Sequence, residues 1–138
     1  MADKYTNRSS ENGSFLDKKT YVKQAENVIA DLQKFEGGQL KVTSTQLRNI
    51  HTMMTELYNM ITHYSEETLN DDIQSHVQYI KMKIAYNAGR NFDVKRFVER
   101  SHLMKYLDDV GDSKSRLLLV FHYSESLVAY HKFYGGKD

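Results

Sequence analysis

Leu47, Ile50, Met54, Leu57, Ile61 and Tyr64 recur at spacings of 3, 4, 3, 4 and 3, the period of one face of an α-helix. A strand cannot carry this stripe, because its side chains alternate between faces at every residue. The stripe must be buried, yet it is too short for a free coiled coil, so it predicts a helix packed within a bundle. Ser44 or Thr45 stands at its start as the capping residue. The chain contains no proline, the strongest helix breaker, and no segment with sustained apolar–polar alternation.

Further helices follow from the same period. Val22, Ala25, Ile29 and Leu32 predict a first helix that Gly37-Gly38 stops. Asn70 or Asp71 caps a third, with Ile73, Val77, Ile80 and Ile84 inward and Gly89 expected at its C′ position. A fourth helical region runs from about Phe92 to Leu107, with Val94, Phe97, Met104 and Leu107 inward and its continuity past Ser101 open. After a turn at 108–112, a last helix spans about Ser113 to Tyr134, with Leu117, Val120, Phe121, Leu127, Val128 and Tyr134 on its apolar side. The expected architecture is an all-α, single-domain compact bundle of about five helices over residues 19–138. Residues 1–18 are polar and aperiodic and read as a flexible N-terminal arm.

Composition narrows the class. Among 138 residues, 40% apolar and 27% charged side chains fit a globular protein with a single core. The absence of cysteine removes disulfides and thiolate metal sites, and fits a reducing, cytoplasmic setting. No run approaches the roughly 18 apolar residues of a membrane span, and the amino terminus has no apolar signal region.

Charge is sorted along the chain. The 19 basic and 18 acidic residues nearly cancel, but residues 61–80 hold Glu66, Glu67, Asp71 and Asp72 with no Lys or Arg. Residues 81–105 reverse this, with Lys81, Lys83, Arg90, Lys95, Arg96, Arg100 and Lys105 against Asp93 and Glu99. Such separation suggests a basic surface aimed at a polyanion; the alternative is a solvated face whose signs happen to cluster. On a wheel for the third helix, Tyr79, Lys83, Tyr86 and Arg90 lie opposite the apolar stripe. Alternating tyrosines and cations suit single-stranded nucleic acid, since cations neutralise phosphates and rings stack on bases. The other reading packs Tyr79 and Tyr86 on a neighbouring helix or subunit. Tyr123, Tyr130 and Tyr134 join Phe121 and Phe133 on the last helix, either as a subunit interface or as a tyrosine-rich core.

No catalytic constellation stands out. Glu99-x-x-His102 has the spacing of a di-iron helix and His122-x-x-Glu125 reverses it, but such a site needs two correctly ordered pairs and two more glutamates. There is no H-E-x-x-H, no Gly-rich phosphate loop and no G-x-S-x-G. The expectation is a non-enzyme without cofactor or metal.

Three segments, TSTQLRNI (Thr43–Ile50), YIKMKIAYNAGR (Tyr79–Arg90) and ESLVAYHKFYGG (Glu125–Gly136), closely resemble the small helical subunit of type III-A CRISPR effector complexes, the Csm complexes. With their spacing, the likeness covers about residues 40–136. The resemblance implies a fold of about five helices and no catalysis. It also implies copies that stack as a filament beside the other subunits of the complex. A basic surface would contact the crRNA and target RNA backbone without regard to sequence. Carried over by position, Arg48, Lys81, Lys83, Arg90 and Lys132 are the cations within the matching motifs; Lys95 and Arg96 are added from charge clustering alone. Tyr79, Tyr86 and Tyr130 are the stacking or interface candidates. A reading from another class is a helical protein–protein adaptor with no nucleic-acid contact.

Overall fold

The structure, a computed structural model, describes residues 14–138. Most of the expected arm, residues 1–13, lies outside the described residues. The remainder packs on the bundle: Leu16 is buried and Phe15 meets Tyr106 edge-on at 5.8 Å. Helix α1 (Tyr21–Phe35) buries Ala25, Ile29 and Leu32. Val22, expected inward, is exposed, because it sits in the first turn at the margin of that stripe. Gly37 (φ 80°) and Gly38 (φ 100°) end the helix in the left-handed region, and the Gly38 N–H donates back to the Gln33 carbonyl at 2.8 Å.

Helix α2 (Ser44–Ile61) starts on a reciprocal cap, with the Gln46 N–H on the Thr43 hydroxyl at 3.1 Å and the Thr43 N–H on the Gln46 side chain at 2.9 Å. The stripe Leu47, Ile50, Met54, Leu57 and Ile61 is buried throughout, while Tyr64 lies past the helix end and is half-buried. Helix α3 (Asp71–Arg90) is capped by Asn70 and buries Ile73, Val77, Ile80, Ile84 and Ala88. Gly89 does not end it as expected. The helix continues through Gly89 to Arg90, and Asn91 closes α3 while its side chain caps the next helix at the Val94 N–H.

The fourth helical region is two helices, α4 (Phe92–Ser101) and α5 (Leu103–Asp108), split at His102 with φ 58°. The described residues therefore form six helices rather than about five. The split has a partner far along the chain. Ser101 is fully buried, and its carbonyl accepts the Tyr123 hydroxyl at 2.9 Å, which satisfies the C=O that a continuing helix would have bonded. Burial pushes the Tyr123 phenol well above its ordinary range, so it stays a donor.

Helix α6 (Lys114–Phe133) packs against α1, α2 and α5, while α3 packs against α2 and α4. The α2–α3 loop and the α5–α6 turn hold each other through Leu69 N–H to Asp112 C=O and Lys114 N–H to Glu67 C=O. Glu67 caps α6 by accepting from the Ser113 and Ser115 hydroxyls, and these bonds lower its carboxyl pKa. At the other end of α6, His131 is buried. Its Nε2 donates to the Val42 carbonyl at 2.7 Å, which leaves Nδ1 to accept from the Ser44 hydroxyl at 3.3 Å. Gly135 (φ 86°) turns the chain, and Gly136 lies flat on that ring, where an added Cβ would come within 2.1 Å of Cε1. The Lys137 carbonyl then accepts the Ser44 N–H at 2.7 Å.

Two predictions follow. Tyr123→Phe leaves the Ser101 carbonyl buried without a partner and should cost about 1–3 kcal/mol, read as a lower denaturant midpoint at unchanged m-value. Burial lowers the pKa of both His131 and His51, the latter bonded to Ser124 at 2.9 Å. Below about pH 6.5 the unfolded chain binds protons that the folded chain refuses, so stability falls as pH drops through that value. Each histidine contributes a slope of at most about 1.4 kcal/mol per pH unit. Denaturant titrations across the range should show it, and His51→Gln should make it shallower.

Candidate nucleic-acid interface

Burial of Ile73, Val77, Ile80 and Ile84 fixes the roll of α3 and turns Tyr79, Lys83, Tyr86 and Arg90 outward. Tyr79 is 49% exposed and Tyr86 65%. The cations lie beside the rings one turn back: Lys83 Nζ is 5.4 Å from the Tyr79 centroid, and Arg90 Cζ is 5.5 Å from that of Tyr86. Residues 73–92 contain no Asp or Glu. Among the described residues neither Lys83 nor Arg90 has a carboxylate partner. Their charge is therefore displayed rather than neutralised. Arg90 also borders a hollow between α2 and α3 with Gln46, Asn49, Asn87 and Asn91, a set rich in amide donors.

The other sequence-stretch cations go elsewhere. Lys81 forms an ion pair with Asp108 at the α5 end, across the bundle edge. Arg96 bonds Glu36 at 3.0 Å; the Glu36 side chain is 1% exposed and also accepts the Lys41 N–H. The Arg96 guanidinium lies 5.1 Å from the Phe35 ring and 4.6 Å from that of Phe92, and Arg100 covers Phe35 at 3.8 Å. This corner clamps the end of α1 to α4. Lys105 pairs with Asp109 at 2.7 Å. Lys95 is exposed and has no ion pair among the described residues. Lys132 bonds Asp138 at 2.8 Å, and this bond, with Lys132 charge and a smaller push from Arg48, holds the Asp138 carboxyl below its usual range. Arg48 itself is exposed on the first turns of α2.

The aromatic residues of α6 divide between the two expectations. Phe121 and Tyr123 belong to the core, Phe121 stacked on Tyr58 with centroids 4.4 Å apart. Tyr130 is half-buried, edge-on to Phe133 and Tyr134, and Phe133 is 76% exposed. Met82, 57% exposed within the α3 stripe, was legible on the helical wheel as an apolar residue on the wet side, but charge and tyrosine alone do not select it. Glu99 and His102 are separated by the helix end at Ser101, and His122 bonds Glu125 at 2.9 Å. Among the described residues no group of three or more His, Asp or Glu is placed to hold a metal ion.

The two kinds of cation are separable by experiment. Arg96→Ala strands a buried carboxylate and should destabilise the fold by about 2–3 kcal/mol, less than a fully buried pair because Arg96 keeps some solvent. Lys95→Ala should leave the melting temperature within error.

Residues 16–137 match the family described as Csm2 Type III-A. The chain is 34% identical over 125 residues to the Streptococcus thermophilus "CRISPR system Cms protein Csm2", spanning 91% of this chain and 99% of that protein. It is 37% identical over 118 residues to the protein of the same name from Mycobacterium tuberculosis strain ATCC 25618 / H37Rv, spanning 86% and 94%. An Enterococcus italicus counterpart is 32% identical over 95 residues, spanning 67% and 68%.

Proposed function

We infer the role of this chain from the family it belongs to: it is a member of the Csm2 family, the small subunit of type III-A CRISPR complexes. Its partners are accordingly other subunits of such a complex. Within it, the chain is a non-catalytic binding subunit that holds the backbone of crRNA and target RNA without reading sequence, and stacks on copies of itself as a filament. It acts in the cytoplasm.

The observation that carries the RNA reading is the outer face of α3, where Lys83 and Arg90, without a carboxylate partner among the described residues, stand over exposed tyrosines. Phosphate contacts of this kind give affinity and register but no base discrimination. The absence of a nucleophile–base motif in the sequence supports a binding rather than a chemical role. Phe133 and Tyr130 at the end of α6 supply an aromatic surface suited to a subunit contact, which supports the filament and leaves α3 for nucleic acid. No helix among the described residues is long and apolar enough to cross a membrane.

The test is the double variant Lys83→Ala with Arg90→Ala. Each lost phosphate contact on single-stranded RNA flattens the slope of log K against log salt by about 0.7, so the pair should flatten it by about 1.4. Binding of unrelated RNAs should weaken alike, with the melting temperature nearly unchanged. A folded double variant with wild-type affinity and slope rejects this face and favours the adaptor reading.

A further inference from the structure

The α3 face carries more apolar surface than phosphate binding requires. Met82 and Tyr86 stand side by side on it, 57% and 65% exposed, and with Lys83 and Asn87 they line an open hollow of about 240 Å³. That is below the roughly 300–1,000 Å³ of drug-sized ligand pockets, the scale of one planar ring with its sugar. Tyr79 lies two helical turns from Tyr86, roughly 10 Å along the axis. Gly89 is the second observation. It sits inside a helix at a cost of roughly 1 kcal/mol relative to alanine, yet its φ is ordinary and an added Cβ would meet nothing within 4 Å. Nothing in the fold asks for glycine there. Its effect is to bare the helix backbone one turn beyond Tyr86, next to Arg90.

We propose that Met82, Tyr86 and the bare surface at Gly89 form a stacking site for an unpaired nucleobase, with Lys83 and Arg90 on the phosphates to either side. The proposal rests on the reading of α3 as an RNA face and narrows its ligand to single-stranded stretches. Charge selects this occupant over a protein segment. The rings are flanked by cations with no carboxylate partner among the described residues, so a ligand with a flat apolar part between anionic groups meets every feature. A duplex keeps its base faces stacked internally and can use only the cations. Asn87, whose amide donates to the Lys83 carbonyl at 3.1 Å, leaves its side-chain oxygen at the rim as an acceptor.

The full chain is titrated with short oligouridine, with the same strand carrying one 2-aminopurine, and with an RNA duplex of equal length. Tyr86→Leu should weaken oligouridine binding about 5- to 100-fold, the loss expected for one base–aromatic stack, while the salt slope stays as in the parent. Tyr86→Trp should restore it, and 2-aminopurine fluorescence should be quenched by the parent and the Trp variant only. Duplex affinity should be unaffected by Tyr86→Leu. Gly89→Leu covers the bare surface with a better helix former, so it should hold or raise the melting temperature while weakening oligouridine binding.

If no RNA binds at all, the RNA reading fails and the stacking site with it. If Lys83→Ala and Arg90→Ala flatten the salt slope but Tyr86→Leu changes nothing, the RNA face stands and the stacking site is overturned. Loss of self-association in Tyr86→Leu, with RNA affinity intact, would assign the ledge to a protein contact and equally overturn it.

Discussion

Three polar side chains buried along α6 fix where the rest of the chain goes. Tyr123 holds the carbonyl at the end of α4, Ser124 meets His51 of α2, and His131 grips the segment that leads into α2. A hydrophobic core alone is tolerant of small slides between helices, because area burial has no direction. Hydrogen bonds in a dry interior do have direction, and an unmade one is costly. With α2 pinned to α6 at Ser124 and, through the segment before it, at His131, it cannot shift along that helix, and α3, packed on α2 and α4, inherits that position. The roll that turns Tyr79, Lys83, Tyr86 and Arg90 outward comes from the buried stripe of α3 itself, while the place of α3 in the bundle follows from these groups on α6 through α2 and α4.

Helices with one wet side were legible in the sequence. The α2 stripe and the α3 stripe lie where the 3.6-residue period puts them, and their caps at Thr43 and Asn70 sit at or within a residue of the expected starts. The sequence left continuity past Ser101 open, and the helix does end there; the partner that holds that end, the Tyr123 hydroxyl, was not legible because it lies 22 residues from Ser101 in the chain. Gly89 misled for a different reason. Glycine near a helix end is commonly the left-handed terminating residue, but here the helix ends at Asn91 in extended backbone, with φ −144°, and Gly89 stays helical.

The site divides the same way. Lys83 and Arg90 follow from the wheel, since both partners of each cation–ring pair are on one helix. Lys81 and Arg96 share their charge run but are engaged by Asp108 and Glu36, residues that only the fold brings near. Composition counts cations; it does not tell which are already neutralised. The run of cations in residues 81–105 is thus less available than the sequence suggested: on α3, Lys83 and Arg90 keep their charge displayed while Lys81 is paired.

The packing of Gly136 on the His131 ring has a consequence for how this chain can vary over time. The two positions occupy one volume: any side chain at 136 needs space that the ring fills. Shrinking the residue at 131 would open that space but release Val42 and Ser44 at the start of α2. Neither position can drift alone without passing through a less stable protein, so the pair must change in concert or not at all. The short glycine tail is in this sense part of the foundation of α2, and the Lys137 carbonyl that follows it bonds the first N–H of that helix.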